Sequence, residues 1–240
     1  MAAPTTTELL WGTAQRPKRG PKPTLSLERI VGEAIALADA EGLANLSMAR
    51  LAERLGCAKM ALYRYVPGKA ELTALMLDAA MGMPPTAAHD ADAPETWRGY
   101  LRLWAETLFD RILAHPWVNE LAVGVHVMGP HEMEWLESAL ATLADTGLNA
   151  SERFDTVVLL IGHVRSLIQQ AGSDGGDAEA RLQREMSAIL TAHGERYPQV
   201  AAALTEAAGA PAGAGGRDNA LHFGIDRILD GLGTLINQRE

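Results

Sequence analysis

An all-α chain is what this sequence predicts, a small N-terminal three-helix unit followed by a larger helical domain. Three observations carry that reading. No apolar–polar alternation of useful strand length occurs in the 240 residues, whereas apolar residues recur at three- and four-residue spacing in segment after segment. Residues 46–72, "LSMARLAERLGCAKMALYRYVPGKAEL", hold two short helical runs split by Gly56-Cys57, with Lys59, Tyr63, Arg64, Tyr65 and Lys69 crowded into the second. The charge is also lopsided. Residues 1–75 contain ten Lys or Arg against seven Asp or Glu, a local net of +3 that leaves −12 on the rest of a −9 chain. A basic head on an acidic body is the pattern of a nucleic-acid contact confined to one end.

Each element can be justified in order. Residues 1–26 are rich in Pro, Thr and Ala, lack periodicity, and contain the acid-free run "RPKRGPKP"; they read as a flexible basic arm. Ile30, Ala34, Leu37 and Ala38 then share one helical face, and Gly42 stops that helix. Ser47 can cap a short helix ending at Leu55, with Leu51, Ala52 and Leu55 inward. Gly56 supplies the positive φ of a sharp turn. A third helix is expected over 58–65, closed by Val66 before Pro67. "GKAELTALMLDAAMGM" restarts a helix with Leu72, Leu75, Met76 and Ala79 on one face. Beyond a polar linker at 84–94, helices are expected over 95–114, 117–126, 130–145, 151–170, 178–207 with a break near Pro198, and 218–236. The domain boundaries that follow are an arm at 1–26, a three-helix unit at 27–73, and a larger domain at 74–240.

The steric logic of the three-helix unit is that of a helix-turn-helix. Ala52, four residues before the turn glycine, is small where two helices cross closely, and Leu62 packs back onto the pair. The second helix then presents its N-terminal half to a major groove. The stretch "LSMARLAERLGCAKMALYRYVPGKAELTALMLD" resembles the DNA-binding region of the TetR family of transcriptional repressors. "LAHPW" at 113–117 and "FGIDRILDGL" at 223–232 resemble, less specifically, the C-terminal domain of its tetracycline-repressor branch.

That resemblance implies double-stranded operator DNA, a homodimer and a small-molecule effector as partners, and no cofactor. It places Ser47, Lys59, Met60 and Ala61 where members touch phosphates and base edges. Tyr63 and Tyr65 fall on aromatic positions used for backbone contact, with Arg64 between them, and Lys69 falls on a phosphate-contacting position. Arg16, Lys18, Arg19 and Lys22 resemble the arms that some members lay along the minor groove. Lys59 and Met60 depart from the small or polar residues often found there, so the operator is not transferable. His126 sits near a histidine that ligates drug-bound metal in tetracycline-responsive members. No matching ligands surround it and residue 171 is Ala, so a polar pocket wall is expected rather than a metal.

The tryptophans concentrate in the C-terminal part. Trp104, Leu108, Trp117, His126, Trp135 and His163 could wall a cavity for a largely apolar, aromatic-containing molecule. The stripes of the 151–170 and 218–236 helices suggest a four-helix bundle with a symmetry mate through Val157, Ile161, Leu221, Ile225, Ile228 and Leu232. "HEMEW" at 131–135 begins like a zinc-protease motif but has Trp135 where the second metal histidine belongs, and no nucleophile elbow or phosphate loop exists, so no catalysis is expected. No apolar run is long enough to span a bilayer and the N-terminus lacks a signal-peptide core. With Cys57 the single cysteine, a cytoplasmic protein without membrane contact is expected. The expectation is a ligand-responsive repressor released from a palindromic operator. A ligand-independent or activating regulator, and an enzyme or carrier with a vestigial head, stay open as alternatives.

Overall fold

Caps and glycines set where the helices begin and end, and in the computed structural model they do so largely where the sequence places them. The structure describes residues 3–12, 25–86, 97–171, 175–209 and 217–239. The described elements are helices α1 (Thr6–Leu10), α2 (Leu27–Glu41), α3 (Met48–Leu55), α4 (Lys59–Leu62), α5 (Lys69–Met81), α6 (Trp97–Ala114), α7 (Val118–Leu121) and α8 (Pro130–Thr142). They continue with α9 (Ala150–Ala171), α10 (Gly175–His193), α11 (Pro198–Gly209) and α12 (Arg217–Asn237). Single 3₁₀ turns lie at Leu43–Asn45 and Gly194–Arg196, and no strand occurs among the described residues. No described helix is long and apolar enough to cross a membrane. The chain forms two units, Met1–Val157 and Val158–Glu240.

In the first unit, Ser26 Oγ accepts the Arg29 N–H and Ser47 Oγ the Arg50 N–H, so α2 and α3 each start on a side-chain cap. Gly56 closes α3 at φ 64°, the left-handed region where a Cβ is strained. Ile30, Ala34, Leu37, Leu51, Leu62, Val66 and Leu72 are fully or almost fully buried where α2 packs on α3 and α5. Ala52 is buried as well, as the close crossing requires; a Leu there would overpack it by about 1–3 kcal/mol.

Several expectations need correcting. The third helix of the head spans only four residues; at Tyr65 and Val66 both N–H groups turn back to the Leu62 carbonyl, because Pro67 bars Val66 from continuing. The helix expected at 117–126 is the single turn α7, and Gly124 follows at φ 82°. The break expected near Pro198 is present: α10 ends at His193, a 3₁₀ turn follows, and Pro198 begins α11. Most unexpectedly, residues 6–10 of the supposed flexible arm are helical. Thr5 and Glu8 make a reciprocal capping box, Leu9 and Leu10 are buried, and α1 packs on α5.

α5 explains that contact. Leu72, Leu75, Met76, Leu77, Asp78 and Ala80 are all buried, which places covered positions around nearly the whole helix. A helix apolar all round has to be enclosed. α1, α2, α6, α7 and α8 all pack against it.

In the second unit, His163 on α9 donates from Nε2 to the Leu221 carbonyl on α12, at 3.1 Å. The crossing is so close that a Cβ on Gly224 would collide with the His163 ring. This corrects the dimer expectation in part. Val157, Leu221, Ile225 and Leu232 are already buried within the chain, and only Ile161 and Ile228 keep partial exposure. On α9 and α12 themselves, the large apolar residues left in solvent are Phe154, Val158, Leu159 and Phe223. An open depression of about 380 Å³ lies along α9 beside Val158, Ile161, Gly162 and Arg165.

Candidate nucleic-acid interface and the joint behind it

The rim of α4 is built by one inward anchor. Leu62 is completely buried, so the neighbouring positions of this short turn face outward. Lys59, Met60, Tyr63 and Arg64 are exposed, Ala61 and Tyr65 are half-buried, and Lys69 stands exposed at the start of α5. Lys59 Nζ lies 5.8 Å from the centroid of the Tyr63 ring, a cation–π contact that restricts both side chains. Ser47 spends its oxygen lone pair on the Arg50 N–H, and its hydroxyl proton can still be donated to a phosphate. Seven of the eight sequence-predicted positions therefore gather around α4, and Ser47 sits at the start of the preceding helix.

The electrostatics favour an anion at this rim. Glu41 pairs with Arg50 and Glu33 with Arg54, which neutralises the acids of α2 that flank α3. Among the described residues, Arg64 and Lys69 have no ion-pair partner. The four arm residues, Arg16, Lys18, Arg19 and Lys22, lie outside the described residues.

Behind the head, polar groups are paired rather than left open. Asp39 on α2 accepts from two residues of the turn after α6: Trp117 Nε1 at 2.6 Å and His115 Nδ1 at 2.9 Å. Because a carboxylate only accepts, His115 carries its proton on Nδ1. Asp78, 5% exposed near the end of α5, accepts the N–H groups of His131 and Glu132 at 2.9 and 3.3 Å and so caps α8. The His131 ring lies 3.0 Å from its other oxygen. Gly129 leaves room for this carboxylate, into which a Cβ would project. Glu132 completes the cap by accepting the Gly129 N–H, and holds His126 Nε2 at 2.8 Å.

These contacts sort the candidate effector residues. Trp104 and Trp135 meet edge-on with ring centroids 5.2 Å apart, and both are buried. Trp104 Nε1 donates to the Trp135 carbonyl and Trp135 Nε1 to the Gly82 carbonyl. Leu108 is buried one turn along α6 from Trp104. Trp117 does not join this group, since its indole is drawn to Asp39; His126 is exposed and engaged by Glu132; His163 belongs to the second unit. The sequence reading missed Asp39, Asp78 and Glu132. Glu132 had a local signal as the third residue after the Gly129 cap, whereas the two aspartates act across 53 to 78 residues of sequence and had none.

Comparisons with known proteins identify the family. Residues 30–76 match the bacterial regulatory proteins of the tetR family, and residues 91–236 match the tetracyclin repressor-like C-terminal domain. The HTH-type transcriptional repressor DrrR1 of Streptomyces coeruleorubidus is 40% identical, over 98% of this chain and 87% of its own. Tetracycline repressor protein class C of Escherichia coli is 25% identical, over 87% and 90%. ActR of Streptomyces coelicolor, a TetR family protein solved with actinorhodin, aligns with a TM-score of 0.73 at 25% identity, covering 88% of this chain and 96% of ActR. With a matching head, a C-terminal match over more than half its length and a 40% identical repressor relative, the chain belongs to the TetR family of bacterial transcriptional regulators.

Proposed function

We propose that this chain is a homodimeric repressor. Its two α3–α4 units enter successive major grooves of a palindromic operator, and a small molecule held by the C-terminal domain releases it. The observation that carries the reading is the α4 rim: Leu62 anchors the turn, Lys59, Met60 and Arg64 project from it, and Glu41 and Glu33 of α2 are paired with Arg50 and Arg54. Ser47, Ala61, Tyr63, Tyr65 and Lys69 supply the surrounding backbone contacts. Arg16, Lys18, Arg19 and Lys22 add affinity from the arm.

The effector half of the reading draws on ActR, whose structures hold actinorhodin and (S)-DNPA. A largely apolar, aromatic-containing molecule is the class we propose. Its binding must favour the DNA-free arrangement, and a tenfold release requires about 1.4 kcal/mol of differential affinity. The tight Trp104–Trp135 pair favours one second reading, a constitutive repressor with no effector at that pair. The dimer is proposed to form through the exposed Phe154, Val158, Leu159 and Phe223 together with Ile161 and Ile228.

Gel retardation on the region upstream of its own gene tests the DNA reading, and sequence-independent binding alone would overturn it. A ligand screen by thermal shift, followed by release from that DNA, separates the responsive from the constitutive form. Val158→Asp should give a folded monomer in sedimentation, whereas Ile225→Asp should fail to fold because residue 225 is fully buried within the chain. Neutralising the four arm cations to Ala should make the salt dependence of binding shallower. Truncation would confuse that test, because it also removes the docked α1.

A further inference from the structure

Met60 is the most exposed large apolar side chain between residues 25 and 82, at 73%. It sits two residues from the fully buried Leu62, so it occupies the outward side of α4. Its neighbours on the rim, Lys59 and Arg64, are cations. Scattered apolar residues on a surface need no explanation. An unbranched apolar side chain this exposed among cations does, because in an operator complex it would be free to enter the groove that the cations face. The edges of bases in a major groove are hydrogen-bond donors and acceptors with one apolar exception, the 5-methyl group of thymine. A flexible, polarizable thioether chain is suited to pack on it. The Lys59 ammonium lies 5.8 Å from the centroid of the Tyr63 ring, at the residue that closes α4, and so is drawn towards that ring.

We infer that Met60 reads a thymine methyl group, so that each operator half-site carries a thymine whose 5-methyl is packed by this side chain. The inference rests on the operator-binding reading and deepens it. It makes Met60 a specificity residue acting through apolar contact, distinct from the hydrogen-bonding and phosphate contacts of the cations around it.

The test uses the full-length dimer and a duplex carrying the site footprinted upstream of its own gene. Each thymine of one half-site is replaced in turn by deoxyuridine, which removes the methyl and leaves the Watson–Crick and groove hydrogen-bonding groups intact. Burying one methyl corresponds to roughly a fourfold change in affinity. One thymine per half-site should therefore show about a fourfold loss for the native chain, and double replacement about the square of that. Met60→Ala and Met60→Gln should bind the thymine and deoxyuridine duplexes equally. Their thermal stability should be native, because the side chain is in solvent. If the native chain binds the site but no deoxyuridine substitution weakens it, the inference is overturned and operator binding stands. The inference is equally overturned if a substitution weakens native and Met60→Gln protein alike, since another residue then reads the methyl. If no site is protected at all, the operator-binding reading fails and takes this inference with it.

Discussion

α4 and α5 are neighbours in sequence and opposites in construction. α4 is four residues long, held by a single buried leucine, and surrounded by exposed cations and an exposed methionine. α5 is covered on nearly every side, and its one buried carboxylate, Asp78, is engaged by two backbone N–H groups and a histidine. The difference teaches where each kind of group is useful. Groups left exposed on α4 stay available to another molecule. Groups closed off on α5 instead fix that helix against the five that pack on it.

The largest effect that can break this contrast is at Asp78. Asp78→Ala removes the acceptor for the His131 and Glu132 N–H groups at the start of α8, in a part-buried site, a cost of about 2–3 kcal/mol in urea unfolding. Its operator affinity, measured where the variant is folded, should stay close to native. A stability loss under 0.5 kcal/mol would show that α5 is held by apolar contact alone.

Arg64→Ala should behave in the opposite way. Specific operator binding should weaken by about 1–3 kcal/mol if the guanidinium reaches a base edge, while unfolding shifts by less than 0.5 kcal/mol. Lys69→Ala should weaken specific and random DNA equally, as loss of a phosphate contact does. Equal loss on both DNAs for Arg64→Ala would move that residue into the same class as Lys69.

Trp11→Phe is smaller again. It removes the indole N–H that donates to the Met128 carbonyl at 3.2 Å, from a residue nearly half exposed. About 0.5–1 kcal/mol of stability should be lost, read by chemical denaturation. Leu10→Asp, which buries a charge against α5, should release α1 altogether and expose residues 1–12 to protease. Unchanged proteolysis would mean that α1 stays docked without its apolar anchor.

How much of this was legible in the sequence follows from how local each signal is. The head could be read because Ser47, Ala52, Gly56 and Pro67 each act within a few residues of themselves. The α1 helix was hidden in a segment of arm-like composition. Its Thr5-x-x-Glu8 box was visible, but five residues do not hold a helix without the docking that only the fold supplies. The burial of four of the six expected dimer residues within the chain was not legible for a different reason. α9 and α12 are apolar on more than one side, and periodicity cannot tell which side the chain itself covers; it covers Val157, Leu221, Ile225 and Leu232 and leaves Phe154, Val158 and Phe223. Trp117 could not be separated from Trp104 because the deciding contact, with Asp39, lies 78 residues away.

The finest test of the contrast is the acid response of α1, the element that covers α5 from the N-terminal side. The Glu8 carboxylate accepts the Thr5 backbone N–H at 2.8 Å and the Thr5 hydroxyl at 3.0 Å. The backbone bond, followed by the hydroxyl, holds its pKa below the ordinary 4.5, and slight desolvation opposes them only weakly. A depressed folded pKa means that the cap's contribution is fully present above the ordinary value and is lost as pH falls through the folded one. Protection of the Leu9 and Leu10 amides against hydrogen exchange, corrected for intrinsic rates, should therefore decline as the solution is acidified below pH 4.5. Amides in α5 should hold their protection through the first part of that range, since α2, α6, α7 and α8 still enclose the helix. Glu8→Gln, which keeps an acceptor at the cap but cannot titrate, should abolish the decline at residues 9 and 10. If α1 and α5 instead lose protection together at every pH, the five-residue helix belongs to the same cooperative unit as α5 and opens with it.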